Sequence, residues 1–149
     1  WSLLEARYED GSPMSTRQIR DEAITMFIAG HETTALATTF AFDQIARHPE
    51  AARKLREELD AVLGDRPATF EDVRSLSYTE SIIKETMRLY PPAWIIGRCA
   101  LEDIKIGEWD VPAGSQVVMS QWLVHRDERH FKDALSFKPE RWHNTNLER

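Results

Sequence analysis

Cysteine is the scarcest chemistry in this chain: Cys99 stands alone among 149 residues. A single thiol excludes an internal disulfide and any zinc site built from several cysteines, and it fits a reducing compartment. Clustered positive charge is also missing. The net charge is −6 and no Lys/Arg run offers the surface that neutralising phosphates requires, so nucleic acid is not an expected partner. The first residues, Trp1-Ser2-Leu3-Leu4-Glu5-Ala6-Arg7, contain neither an initiator Met nor a charged-then-apolar signal segment, and we expect the chain to begin inside a larger protein. Internal repeats, low-complexity tracts and flexible linkers are absent too. With 42% hydrophobic and 30% charged residues the composition is that of one ordinary globular domain, not of a disordered chain.

What is present is a long, nearly uncharged stretch with a charge at its centre. From Ala23 to Phe42 only His31 and Glu32 are ionisable. The stretch is long enough to raise a membrane span, but Gly30-His31-Glu32 and five threonines fit a core helix of a larger domain better. A charge buried in such a helix is costly and invites a chemical explanation. The helix is expected over about 15–47. Ser15 with Gln18 forms a capping box after Pro13, Asp21 and Glu22 load the early turns, and Pro49 follows the end. Ile19, Ala23, Met26, Gly30, Thr33 and Ala37 share one face, small and smooth around Gly30.

A second helix is expected over 49–63, with Leu55, Leu59 and Val62 inward, exposed pairs Glu50/Lys54, Arg53/Glu57 and Lys54/Glu58 outward, and Gly64 as its C-cap. After a helical turn near Phe70 to Arg74, a third helix covers 78–89 and stops at Pro91-Pro92. The period then changes. Trp94-Ile95-Ile96, Ile104-Lys105-Ile106, Trp109-Asp110-Val111 and Gln116-Val117-Val118-Met119 read as one small sheet within 94–119. A helical turn around His125 to Glu128 and irregular coil over 130–149 complete a mainly α chain with a small β-sheet.

Glu85 and Arg88 lie three residues apart, on one face of the third helix. Taken alone they read as a surface pair contributing about 0–1 kcal/mol. Pro139-Glu140-Arg141-Trp142 alters that reading, because it offers a second arginine inside coil, and one carboxylate can accept from two guanidinium groups.

Four features, in order, resemble the central to C-terminal portion of the cytochrome P450 fold, that of the haem-thiolate monooxygenases, from about Pro13 to the last residue. Ala29-Gly30-His31-Glu32-Thr33-Thr34 resembles the family's oxygen-activation motif, and Glu85-Thr86-Met87-Arg88 its Glu-x-x-Arg motif. Pro139-Glu140-Arg141-Trp142 resembles its Pro-x-Arg-aromatic motif, with Trp for the commoner Phe, and Arg98 its propionate-binding strand arginine.

The resemblance implies roles that physical reasoning makes intelligible. Cleaving dioxygen needs delivered protons and excluded water. Glu32 and Thr33 would be catalytic, an acid linked to a hydroxyl that both donates and accepts, although a threonine bonded back to its own helix is the plain structural alternative. Ala29 and Gly30 lack bulk, so the helix could pass close to haem b, whose propionate Arg98 would bind; otherwise Arg98 is a surface arginine. Glu85, Arg88 and Arg141 would form a buried triad fixing the coil that leads to the haem-ligand loop. Phe27, Thr34, Trp94, Ile95 and Ile96 would line a lipophilic substrate pocket, though an apolar strand also suits a buried sheet.

One departure is plain: the family's Phe-x-x-Gly-x-x-x-Cys-x-Gly ligand loop does not occur, so this chain supplies no metal ligand and its cysteine is expected beyond Arg149. Cys99 follows Arg98 without flanking glycines and reads as a small packing residue. The resemblance further implies NAD(P)H electrons arriving through a ferredoxin or flavoprotein reductase, and a cytoplasmic setting like that of soluble bacterial members. The isolated chain is expected to be inactive. Three readings compete: a zinc-protease helix, for which position 35 would have to be His and is Ala35; a haem-thiolate isomerase or dehydratase; and a non-catalytic helix-and-sheet fragment without haem.

Overall fold

The computed structural model describes residues 3–143. Four helices, α1 (Thr16–Arg47), α2 (Pro49–Leu63), α3 (Ser77–Leu89) and α4 (Gln121–Val124), alternate with two 3₁₀ helices (Phe70–Ser75 and Pro139–Trp142) and four short strands. The strands are β1 (Ile96–Cys99), β2 (Ile104–Ile106), β3 (Trp109–Val111) and β4 (Gln116–Met119). The chain divides into two compact units, the first running to Leu36 and the second starting at Ala37, with the boundary inside α1.

In the first unit a turn precedes α1: Asp10 accepts from the Ser12 amide at 2.9 Å and hydroxyl at 2.6 Å, and Arg7 bridges Pro13 in antiparallel fashion. The helix then starts with the reciprocal bonds of a capping box. The Gln18 amide donates to Ser15 Oγ at 3.3 Å while the Ser15 amide donates to Gln18 Oε1 at 3.0 Å. Met26, Phe27 and Ile28 are all exposed, Phe27 at 71%. No helix among the described residues is long and apolar enough to cross a membrane.

The second unit is organised around α3. Tyr78, Ile82 and Leu89 are buried there together with Ser81, Glu85, Thr86 and Arg88. The helix begins under the Glu58 carboxylate of α2, which accepts from the Tyr78 amide at 2.6 Å, the Thr79 amide at 2.8 Å and the Thr79 hydroxyl at 2.8 Å. Those amides are among the unpaired donors of a helix N-terminus, where negative charge is favoured. Glu58 therefore does not pair with Lys54 on an exposed face. Lys54 instead reaches Glu140 at 2.6 Å, tying α2 to the second 3₁₀ helix. At the end of α2, Gly64 takes φ 56° and donates to the Asp60 carbonyl at 3.0 Å, a backbone conformation glycine adopts cheaply.

Four further expectations change. The strands form two separate two-stranded antiparallel ladders, β1 with β4 and β2 with β3, instead of one small sheet. The reason is local: Gly107, at φ 61°, closes a tight hairpin between β2 and β3, while Ile96↔Met119 to Cys99↔Gln116 pair across it. Trp94 and Ile95 precede the strand, and the Trp94 carbonyl accepts from the Ser120 hydroxyl at 3.2 Å and the Trp122 amide at 3.4 Å. The helical turn lies at Gln121–Val124, earlier than His125 to Glu128, because Ser120 caps it by accepting from the Leu123 amide. The coil over 130–149 is interrupted by the 3₁₀ helix Pro139–Trp142, which Pro139 initiates with a preset φ; residues 144–149 lie outside the described residues.

Candidate functional site

Glu85 is fully buried and accepts five hydrogen bonds. On Oε1 converge Arg88 Nη2 at 2.9 Å, the Lys138 amide at 2.9 Å and Arg141 Nε at 3.0 Å. On Oε2 converge Arg88 Nε at 2.9 Å and the Trp142 indole Nε1 at 3.0 Å. The structure thus brings Glu85, Arg88 and Arg141 together. The spacing of Glu85 and Arg88 on α3 sets up the first, bidentate pair, and the Pro139-initiated turn delivers the second arginine. Burial alone would favour the neutral acid, but the Arg88, Lys138 and Arg141 bonds outweigh it and hold the Glu85 carboxyl below its ordinary range.

Arg88 spends its remaining donors on main chain. Nη1 donates to the carbonyls of His125 at 2.6 Å and Ala134 at 2.7 Å, and Nη2 donates to that of Ser136 at 3.1 Å. Its guanidinium also lies 5.2 Å from the centroid of Phe131. Arg141 donates onward to the carbonyls of Lys132 at 3.0 Å and Asp133 at 3.4 Å. His125 returns the contact, its Nδ1 donating to the Arg88 carbonyl at 3.2 Å, and burial pushes its imidazole pKa down. Glu128 accepts from the amides of Asp133 and Ala134 at 3.0 and 2.9 Å, which supports Asp133 at φ 52°. The result is a loop from 125 to 138 tied to α3 through its backbone.

Sequence reasoning missed Trp142, the Lys138 amide and Glu128 as parts of this clamp. For Trp142 a signal existed: Trp in place of Phe adds an N–H donor. For an amide or a loop carboxylate no side-chain pattern exists to read.

In the first unit, Ala29, Gly30, Glu32, Thr33 and Thr34 belong to one unbroken helix and are exposed. Thr33 Oγ1 donates to the Ala29 carbonyl at 2.6 Å, the back-bonded arrangement, which leaves its lone pairs to accept. A Cβ built on Gly30 meets nothing within 4 Å, so that face is open at this point. Phe27 stacks on His31 with ring centroids 5.5 Å apart. In the second unit Trp94 and Ile96 are exposed and Ile95 is half-buried. Exposure corrects the reading of Cys99 as a small packing residue: among the described residues it is exposed on the two-stranded β1–β4 ladder.

The donor chemistry fits a haem in part. Arg98 is exposed on β1, donates to the Gly97 carbonyl at 2.8 Å and makes no ion pair among the described residues, which suits a carboxylate partner. An iron ligand is another matter. Exposed Cys99 is the only cysteine, and the described residues contain no group of three His, Cys, Asp or Glu able to hold a metal ion.

The chain is 40% identical over 141 residues to pentalenene oxygenase of Streptomyces avermitilis, covering 95% of this chain and 31% of that protein. It is 38% identical over 141 residues to the chloroplastic protein LUTEIN DEFICIENT 5 of Arabidopsis thaliana, covering 95% of this chain and 24% of that protein. A solved zebrafish cytochrome P450 with progesterone superimposes with a TM-score of 0.84 at 27% identity, over 93% of this chain and 33% of that one. The chain therefore spans about a quarter to a third of the length of the proteins it resembles. The family model for Cytochrome P450 matches residues 2–149, and this chain belongs to that family.

Proposed function

We propose that this chain is the oxygen-activating and coil-anchoring portion of a haem-thiolate monooxygenase that inserts one oxygen atom of O2 into a lipophilic small molecule. The observation that carries the reading is the unbroken helical run from Ala29 to Thr34, with acid and hydroxyl adjacent, in a chain of this family. An oxygenase name on one of its relatives supports it. When bound, the haem supplies the redox chemistry that splits dioxygen.

This chain's residues do the rest. In the second unit, Arg98 would hold a propionate. In the first, Ala29 and Gly30 would leave the helix face low enough for a porphyrin and oxygen to approach. Glu32 would exchange protons with solvent, and the Thr33 hydroxyl, which donates to the Ala29 carbonyl at 2.6 Å, would relay a proton by turning its own O–H away from that carbonyl to donate onward while it accepts a replacement from the solvent side. In the first unit Phe27 and Thr34, and separately in the second unit Trp94, Ile95 and Ile96, are the side chains suited to contact a lipophilic substrate. Glu85, Arg88 and Arg141 fix the loop from 125 to 138 from which the chain continues toward the thiolate ligand. Electrons come from NAD(P)H through a ferredoxin or flavoprotein reductase, and the single cysteine is compatible with a cytoplasmic setting.

The full-length protein, supplied with a reductase and a panel of terpenoids, steroids and fatty acids, should consume dioxygen and NAD(P)H in a substrate-dependent manner. Product formation without net dioxygen uptake would assign it to rearrangement or dehydration chemistry instead.

A further inference from the structure

The second 3₁₀ helix ends in a side chain whose chemistry goes beyond filling space. Trp142 is half-buried, and its Nε1 donates to Glu85 Oε2 at 3.0 Å. Oε1 already has three donors, whereas Oε2 has only Arg88 Nε besides the indole. Among large aromatic side chains, Trp couples an apolar body to a group that donates and cannot accept. Such a donor is best matched to an ionised carboxylate in dry surroundings, where a hydrogen bond to charge is strongest. A phenylalanine ring would fill the same place and leave Oε2 with one donor.

We infer that Trp142 is a positioning residue, the fifth donor that holds Glu85 ionised and thereby locks the segment around Lys138–Trp142 onto α3. The inference stands on contacts within this chain and holds whether or not the surrounding protein is an oxygenase. The charged groups around the carboxylate are identified: Arg88 from α3 and Arg141 from the 3₁₀ helix face it directly. The Lys138 ammonium is turned to Asp133, and His125 faces the Arg88 carbonyl instead of the carboxylate. Removing a donor from the charged form moves the Glu85 pKa back toward its ordinary range.

The test is a pH series of chemical unfolding on the full-length protein and its Trp142→Phe, Glu85→Gln and doubly substituted variants, followed by far-UV circular dichroism and by haem content. At pH 7, Trp142→Phe should lower the folded-to-unfolded ratio about ten-fold or more, the size expected for a hydrogen bond to a charged group. That gap should close only as pH falls below the ordinary carboxylate range, through the depressed value at which folded Glu85 becomes protonated. In the Glu85→Gln background the same substitution should change the ratio by no more than about two-fold. A gap that stays constant with pH, or that persists undiminished in the Glu85→Gln background, would mean that Trp142 acts by packing alone and would overturn the inference. Should Glu85→Gln fail to fold, the pH profile of Trp142→Phe decides by itself, because the Phe variant keeps the aromatic ring.

Discussion

Around Glu32 and Thr33 polar groups stand on an exposed helix and bond within their own turn, as Thr33 does to the Ala29 carbonyl. Around Glu85 they are buried and draw partners from 53 to 57 residues away, to the point that one carboxylate accepts five donors. The first arrangement leaves lone pairs and an acid available to something else. The second consumes its capacity internally. Under the proposed function, chemistry and scaffold are separated along this chain, and the number of bonds already made distinguishes them: a saturated ion cluster fixes structure, whereas a sparsely bonded acid and hydroxyl are left able to exchange protons.

The strongest way to break this contrast is Glu85→Ala. It leaves Arg88 as an unpaired buried cation, at a cost of about 3–5 kcal/mol, and the full-length variant should not incorporate haem stably. Normal haem content and an unchanged carbon monoxide difference spectrum would show that the cluster is not the scaffold. A middle-sized effect is expected at the N-terminus of α3, where Glu58→Ala removes the acceptor of the Tyr78 and Thr79 amides. Loss of such a cap costs about 1 kcal/mol, measurable as a lower urea midpoint with the slope unchanged.

Acid sharpens the contrast further, and the signs follow from the two shifted groups. His125 is held neutral, so the unfolded chain takes up its proton first and stability declines once pH falls below about 6.5. Glu85 is held ionised, so its contribution persists through that range and is lost only as pH falls through its depressed value. His125→Phe should flatten the profile between about pH 5 and 7 while leaving the lower acid limb in place, and denaturant titrations across pH would reveal both limbs. The smallest stability change belongs to Thr33→Val, within about 0.5 kcal/mol for an exposed position. The same substitution should nevertheless raise peroxide release per NAD(P)H consumed in the full-length protein. Unchanged coupling would remove Thr33 from the chemistry.

The mainly helical class and short strands were legible because the punctuation is written in side chains: the Ser15/Gln18 box, Gly64, and the Pro91-Pro92 stop. The association of Glu85 with Arg88 follows from helix spacing, and Arg141 was legible as a second cation in coil that needed an anchor. Less legible was anything that depends on main-chain partners or on competition between side chains. Glu58 could have paired with Lys54 one turn away, but the free amides of α3 and the Glu140 carboxylate offered better partners. Four strands of three or four residues carry too short a pattern to say which pair, and so two ladders read as one sheet. Cys99 read as a small packing residue because it follows Arg98 in a strand without flanking glycines, yet among the described residues it is exposed.

Arg88 grips the carbonyls of residues 125, 134 and 136, and Arg141 those of 132 and 133. A grip on carbonyls is indifferent to side-chain identity and strict about count. The loop from 125 to 138 should therefore accept many substitutions, apart from fully enclosed Ala134, where a larger residue has no room, and from Glu128, Phe131 and Asp133, whose side chains or backbone angle serve the clamp. It should reject the insertion or deletion of even one residue, which would shift every carbonyl off its donor. Its length is more tightly constrained than its spelling.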